Sequence, residues 1–140
     1  MVSIGMDIGS VCAKAVAFDE KIIGRLIMST GWNPRQTAEE LYERLVSENG
    51  VKKGEISSIV ATGYGRVSVP FASKKVTEIT CHAKGAAYLD PDARTVIDVG
   101  GQDSKVISID EKGSVLEFMM NDKCAAGTGR FLQVMANVLE

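Results

Sequence analysis

Two stretches of the chain repeat one pattern, in which an apolar run ends in Asp and is followed by a glycine-containing turn, a hydroxyl residue and Lys. They read MDIGSVCAK from Met6 to Lys14 and VIDVGGQDSK from Val96 to Lys105. A carboxylate at a strand end can hold Mg²⁺ through oxygen, and backbone N–H groups beside glycine can approach phosphate oxygens without interference from a Cβ atom. One such turn is typical of a hairpin, whereas two in one chain predict a nucleotide site.

The first turn supplies four candidate residues for this site. Asp7, at the end of the first apolar run, is predicted to contact Mg²⁺, directly or through water, and to take part in catalysis. Gly9 and Ser10 would offer N–H and hydroxyl donors, and Lys14 would reach a phosphate as a mobile cation. The alternative is an ordinary hairpin that uses Asp, Gly and Ser for their turn propensities.

The second turn carries more polar groups than a hairpin requires. Asp98 is predicted to hold Mg²⁺, through water or directly, or to orient the nucleophile. Gln102 is predicted to hydrogen-bond the attacking water, since phosphoryl transfer is catalysed mainly by positioning and charge stabilisation. The other predicted contacts to the nucleotide are Gly100, Gly101, Ser104 and Lys105.

Composition argues against several other functions. The chain of 140 residues carries a net charge of −2 and has no run of Lys or Arg, so it lacks the basic patch of a nucleic-acid-binding protein. No apolar stretch approaches the roughly 18 to 20 residues that span a bilayer, and the N-terminus lacks the features of a secretory signal. We therefore expect a cytoplasmic protein that binds neither nucleic acid nor membrane.

Alternating apolar runs and helical periodicities predict an α/β fold. We expect a mixed sheet with flanking helices in a first lobe over residues 1–92, and an incomplete second copy of that lobe over residues 93–140. A lobe without its later strands would leave a sheet edge and a core face uncovered, so the sequence is interpreted as an N-terminal fragment. Strands are predicted at 2–6, 13–18, 22–28, 56–61, 76–79, 95–99, 105–110 and 115–119, and helices at 34–48, from about 81 to 89 and from 126 onward.

The three cysteines, Cys12, Cys81 and Cys124, show neither a disulfide framework nor zinc-finger spacing. Cys124 precedes a stretch of small residues and an amphipathic helix, and the N-terminus of that helix would favour a thiolate. The alternative is a buried cysteine that caps the helix. His82, the one histidine, is predicted to be a packing or capping residue.

Five motifs in a fixed order resemble those of a known family. They are MDIGSVCAK, ATGYGR at 61–66, EITCHAKGA at 78–86, VIDVGGQDSK, and NDKCAAGTGRFL at 121–132. The two phosphate turns resemble those of the acetate kinase, sugar kinase, heat-shock 70 and actin superfamily, which implies a ribonuclease H-like lobe of the actin/hexokinase type. All five together resemble the ATP-dependent activators of 2-hydroxyacyl-CoA dehydratases and the ATP-binding subunits of benzoyl-CoA reductase.

The resemblance implies ATP, Mg²⁺ and a four-iron four-sulfur cluster as cofactors. Members of the family are homodimers that share one cluster, and ATP turnover drives an electron from it to a partner dehydratase or reductase. The motif cysteine matches Cys124, whereas the second cysteine of each protomer lies beyond Glu140. The expected function is that of an ATPase coupled to electron transfer in a full-length homodimer, and the isolated fragment is not expected to show that activity.

Two alternatives come from other functional classes. A small-molecule kinase of the same superfamily would use Asp98 or Asp103 as a general base toward a hydroxyl and would need no cluster. A non-catalytic nucleotide-binding scaffold would keep the fold without turnover. The sequence names neither the CoA substrate nor the partner enzyme.

Overall fold

The computed structural model describes residues 1–139, which group into two compact units. The first unit is Met1–Thr77, and the second begins at Glu78 and takes the rest of the described chain. We describe each unit by itself. Among the described residues, every helix is too short or too polar to cross a membrane.

The first unit is built on a five-stranded mixed sheet. Strands β1, β2 and β3 form an antiparallel meander, while β4 and then β5 pair in parallel on the other side of β1, in the order β3-β2-β1-β4-β5. The strands are β1 Val2–Ile8, β2 Cys12–Asp19, β3 Lys21–Ser29, β4 Ile56–Thr62 and β5 Lys74–Lys75. A mixed sheet was predicted for this lobe, and the structure contains one.

One helix, α1 (Pro34–Glu48), covers the meander. Its start is fixed by Asn33, whose side chain accepts a hydrogen bond from the backbone N–H of Gln36, and by proline at the first helical position. Leu41 and Leu45 of α1 are fully buried in the same cluster as alternate residues of β1 and the alanines of β2. The small alanines leave room for the helix, so this cluster forms the core of the first unit.

The second unit consists of two helices and a three-stranded antiparallel sheet with the order β6-β7-β8. Its elements are α2 Glu78–Leu89, β6 Thr95–Val99, β7 Ser104–Ile109, β8 Val115–Asn121 and α3 Gly129–Leu139. Its buried core is small and centres on Ala83 of α2 and on Ile107 and Ile109 of β7. Many large apolar side chains of this unit are exposed, including those of Ile97 and Met119, each 73% exposed.

Two element bounds differ from the sequence-based expectations. Helix α2 begins at Glu78, so the region expected to be a strand at 76–79 becomes the start of a helix, and the short strand β5 lies just before it. The last helix begins at Gly129 because Ala126 and its neighbours form a turn. Helix α2 packs against β6, β7 and β8, and the first unit therefore ends at residue 77. The lobe boundary at residue 92 stays a prediction about the repeat.

Candidate functional site

Asp7 lies at the end of β1, next to Lys14 on β2 in the antiparallel register. The Lys14 Nζ donates to Asp7 Oδ2 over 2.9 Å. The other carboxylate oxygen, Oδ1, is buried and has no hydrogen-bond partner among the described residues. Since an unpaired buried acceptor is costly, Oδ1 is available to an incoming cation or water.

The surroundings of Asp7 come from β4, its parallel neighbour. Thr62 is paired with Asp7 in the strand register, and its buried hydroxyl also has no partner among the described residues. Gly63 follows with a φ of 85°, and a Cβ there would collide with Asp7 Oδ1 and with the Ile8 carbonyl. Only glycine therefore keeps the space beside Asp7 open. The sequence-based prediction did not include Thr62, although parallel strands end at the same sheet edge and could have indicated it.

The backbone turn after β1 closes with a hydrogen bond from the Gly9 N–H to the Cys12 carbonyl over 3.1 Å. The N–H groups of Ser10 and Val11 have no acceptor within residues 1–139. These two donors lie in the turn that follows Asp7. The first four predicted residues of the site, Asp7, Gly9, Ser10 and Lys14, thus lie together in the first unit.

The second unit repeats this arrangement at the residue level. Asp98 of β6 is paired in register with Lys105 of β7, and Lys105 Nζ donates to Asp98 Oδ2 over 3.2 Å. The turn closes with a hydrogen bond from the Gly100 N–H to the Asp103 carbonyl over 2.9 Å. A Cβ at Gly100 would collide with the Asp103 carboxylate. The two sequence motifs therefore adopt the same turn with the same Asp to Lys ion pair.

Lys105 differs from Lys14 in its burial. Its side chain is 3% exposed and lies 2.8 Å from the Asp103 carboxylate and 3.9 Å from that of Glu78. Burial acts to lower the pKa of Lys105, but the hydrogen bond to Asp103 and the charges of Glu78 and Asp98 outweigh it, so the pKa is raised. The contact of Lys105 with phosphate stays a prediction. Asp103, one candidate general base of the kinase alternative, has a side chain only 4% exposed.

His82 contacts Asp98 from α2. Its Nδ1 lies 3.1 Å from Asp98 Oδ2. The close contact with His82 lowers the pKa of Asp98 to about 2, against the effect of burial, and Lys105 adds to the lowering. Asp98 is therefore ionised at neutral pH. The packing or capping role expected for His82 missed this contact, because no local spacing links a helix residue to a later strand end.

Cys124 lies in the loop between β8 and α3 and is exposed. The Asn121 side chain holds its backbone from both directions: Oδ1 accepts from the Cys124 N–H over 3.1 Å, and Nδ2 donates to the Cys124 carbonyl over 2.9 Å. The alternative of a buried capping cysteine does not fit, because the Thr128 hydroxyl accepts from the Phe131 N–H at the start of α3. The Asn to Cys spacing is typical of such a side-chain turn, and could have indicated Asn121.

The start of α3 is hydrogen-bonded to the second phosphate turn. The Gly129 N–H donates to the Gly100 carbonyl over 2.8 Å, and the Arg130 N–H donates to the Gly101 carbonyl over 3.2 Å. A cavity of about 280 Å³ opens there, lined in part by Gln102, Cys124 and Arg130. The remaining predicted residue, Ser104, begins β7 opposite Val99. Asp98, Gln102, Lys105 and Cys124 thus belong to one unit, and a nucleotide shared with the first unit stays a prediction.

One protein family matches the chain over almost its whole length. The profile of the BadF/BadG/BcrA/BcrD ATPase family matches residues 4–140. The activator of lactoyl-CoA dehydratase from Anaerotignum propionicum is 48% identical over 145 residues, which cover 100% of this chain and 54% of that protein. The chain therefore spans about half the length of the curated relatives it matches.

Two solved structures are similar over 99% of the chain. The Acidaminococcus fermentans (R)-2-hydroxyglutaryl-CoA dehydratase component A has a TM-score of 0.91 at 41% identity, with 54% of that chain covered. The activator of the 2-hydroxyisocaproyl-CoA dehydratase from Clostridium difficile, solved with bound ADPNP, has a TM-score of 0.89 at 42% identity, with 52% covered. A hexokinase from Thermus thermophilus, at 17% identity and a TM-score of 0.56, shares the fold alone. The predicted α/β fold of the actin/hexokinase type is confirmed.

Proposed function

The chain belongs to the BadF/BadG/BcrA/BcrD ATPase family, and we propose that it supplies both phosphate turns and one cluster cysteine of an ATP-driven, electron-transferring activator of a CoA-ester dehydratase or reductase. The observation that carries the proposal is the repeated turn, in which the Asp before the glycine-containing turn forms an ion pair with the Lys after it in each unit. Relatives whose names describe dehydratase activation support the partner class.

Nucleotide binding follows from the donors of the first turn. The free N–H groups of Ser10 and Val11 would donate to phosphate oxygens, as such turns do in many phosphate sites. Lys14 is half-exposed, so its ammonium can shift from Asp7 to a phosphate at small cost. The ADPNP found with the Clostridium difficile relative supports this assignment.

Asp7 is the residue best suited to hold Mg²⁺. Its Oδ1 is buried and unpartnered among the described residues. One free carboxylate oxygen fits Mg²⁺, which usually keeps several waters and takes one or two carboxylates together with substrate phosphates. When bound, Mg²⁺ would neutralise charge on the phosphates.

Asp98 and Gln102 are proposed to serve hydrolysis from the second turn. Asp98 stays ionised because its pKa is lowered to about 2, so it can accept a hydrogen bond from a water or from a hydrated cation. Gln102 borders the open cavity beside the turn, where its amide would orient the attacking water. A shared nucleotide contacted by both turns is part of the proposal.

Cys124 is proposed to be one ligand of an iron–sulfur cluster shared by two protomers. Its exposure and the small residues that follow it leave room for a cluster or a partner backbone. One thiolate per chain is too few for a cluster with four Cys ligands, so the proposal requires further thiolates from a partner and from polypeptide outside this sequence. The cluster would supply the electron.

The second unit offers a direct route from nucleotide to cysteine. Because the Gly129 and Arg130 N–H groups donate to the carbonyls of Gly100 and Gly101, a phosphate that shifts this turn would also shift the start of α3. Asn121 holds the Cys124 backbone at the other end of the same loop. ATP and its products would then favour different positions of this loop, as a population shift requires.

The test is binding of MgADP and MgATP to this 140-residue chain by calorimetry. Asp7→Asn removes the charge but keeps the shape, and we expect the dissociation constant for the magnesium nucleotide to rise about tenfold or more. Asp19→Asn is the matched control, because Asp19 lies at the far end of β2 and its one ion-pair partner among residues 1–139 is the N-terminal amine. The nucleotide site would be contradicted if Asp7→Asn bound the magnesium nucleotides as tightly as the wild type, or if the wild type did not bind them.

A further inference from the structure

Thr30, the residue after β3, is hydrogen-bonded to two carbonyl groups of the first phosphate turn. Its hydroxyl donates to the Gly9 carbonyl over 2.7 Å, and its backbone N–H donates to the Val11 carbonyl over 3.0 Å. Thr30 is only 3% exposed, so water competes little for these bonds. The turn is therefore held from the side of β3 by one buried residue.

Thr30 is itself tied to the core helix. The Thr37 hydroxyl, in the first turn of α1, donates to the Thr30 carbonyl over 2.5 Å and to the Asn33 carbonyl over 3.0 Å. Thr37 is buried, and Leu41, one turn further along α1, lies in the main core cluster. The position of the phosphate turn is thereby fixed relative to the buried core of the first unit.

These bonds decide which polar groups the turn presents. The Gly9 and Val11 carbonyls are occupied by Thr30, and the Gly9 N–H is occupied by the Cys12 carbonyl. In this turn, the N–H groups of Ser10 and Val11 are left without an acceptor within residues 1–139. A carbonyl oxygen that faced a phosphate would repel it, so holding both carbonyls favours an anion at the turn.

The second unit holds its turn at the equivalent carbonyl by different means. There the Gly100 carbonyl accepts from the Gly129 N–H, at the start of the helix that follows the third strand. In the first unit the Gly9 carbonyl accepts from Thr30, just before the helix that follows the third strand. The same carbonyl is occupied in both units although the donors are chemically different. This recurrence points to a requirement of the turn and not to a chance contact.

We propose that Thr30 is a positioning residue for phosphate binding, which holds the turn carbonyls of Gly9 and Val11 so that the Ser10 and Val11 N–H groups are presented to the nucleotide. The proposal rests on the proposed nucleotide function of this turn. It assigns Thr30 no contact with the nucleotide itself.

The test compares Thr30→Val, which removes the hydroxyl but keeps the shape, with Thr30→Ser, which keeps the hydroxyl. Binding of MgADP to each chain is measured by calorimetry, and hydrogen exchange of the Gly9 amide, which donates to the Cys12 carbonyl, is measured without nucleotide. Thr30→Val should weaken binding about three- to tenfold and speed exchange by a similar factor, which is the effect of one lost hydrogen bond. Thr30→Ser should restore both to within about twofold of wild type.

Val46→Ala controls for lost stability, because Val46 is buried near the end of α1 and is not hydrogen-bonded to the turn. It should lower the stability of the first unit without changing binding. Equal MgADP binding by the wild type and Thr30→Val overturns the role of Thr30 alone. Failure of Thr30→Ser to restore binding also overturns it, because the hydroxyl is then not the cause. Failure of the wild type to bind MgADP overturns the proposed function together with this inference.

Discussion

Asp98 shows how residues from different elements set the charge of one carboxylate. His82 reaches it from α2 and Lys105 from β7, both at Oδ2. Both partners favour the ionised form, and together they outweigh the effect of burial, so its pKa falls from 3.8 to about 2. A group whose pKa is lowered on folding stabilises the fold above its ordinary value, and the stabilisation is lost as pH falls through the folded value.

His82→Ala should therefore raise the pKa of Asp98 from about 2 toward 3.8, because the largest single cause of the lowering is removed. Carboxyl ¹³C NMR titration without added metal measures the change. Asp110 is the internal control, since its pKa is lowered by hydrogen bonds from Ser114 and Lys112 and not by His82.

As the pH falls from 3.8 to about 2, the free energy of unfolding should also decrease less in His82→Ala than in wild type, because less of it depends on ionised Asp98. An Asp98 pKa that stays at the wild-type value in His82→Ala, with Asp110 unchanged, would show that Lys105 alone holds the carboxylate. The pairing with His82 would then have no electrostatic consequence.

One side chain holds the first part of the loop that joins β8 to α3. Asn121, the last residue of β8, holds the Cys124 backbone by two hydrogen bonds, and Thr128 begins α3 as its cap. The start of α3 is in turn bonded to the second phosphate turn. The loop is therefore fixed at both ends, although the side chains at 122–127 are exposed.

Asn121→Ala should speed hydrogen exchange of the Cys124 amide about three- to tenfold, since both bonds from the side chain are lost. It should also increase the rate at which a small alkylating reagent modifies the Cys124 thiol, because the loop samples more positions. Asn137→Ala is the matched control, as Asn137 lies exposed on α3. Exchange at Cys124 that does not differ between the two variants would mean that α3 alone fixes the loop.

Sequence patterns predict elements well where one face is buried, and contacts poorly where elements far apart in the chain meet. The alternation in β1 and the spacing of Leu41 and Leu45 in α1 are local properties, and both elements lie close to where they were expected. The Asp to Lys pairs follow from hairpin register, so their members were found. Thr30 and His82 act through partners on other elements, which no periodicity reports.

The two units have cores of very different size. The buried cluster of the first unit joins residues of β1, β2, β4 and α1, whereas that of the second consists of Ala83, Ile107 and Ile109 with partly buried neighbours. Most apolar residues of β6 and β8, and the large apolar residues of α3, are exposed. Because stability grows with the apolar area removed from water, the second unit should be the less stable of the two.

Native-state hydrogen exchange in increasing urea tests this difference, since it reports the opening of each unit separately. In the wild type, amides of β6 to β8 should become exchange-competent at lower urea than those of β1, β2 and β4.

Leu41→Ala and Ile107→Ala each remove a fully buried side chain, and each should lower the free energy of unfolding of its own unit by about 2 to 5 kcal/mol. Leu41→Ala should therefore lower protection in the first sheet. Ile107→Ala should abolish protection in the second sheet while the first sheet keeps its own, because the core around Leu41 contains no residue of β7. Loss of protection in both sheets from either substitution would mean that the chain unfolds as one cooperative body, and the unequal cores would then not set its order of unfolding.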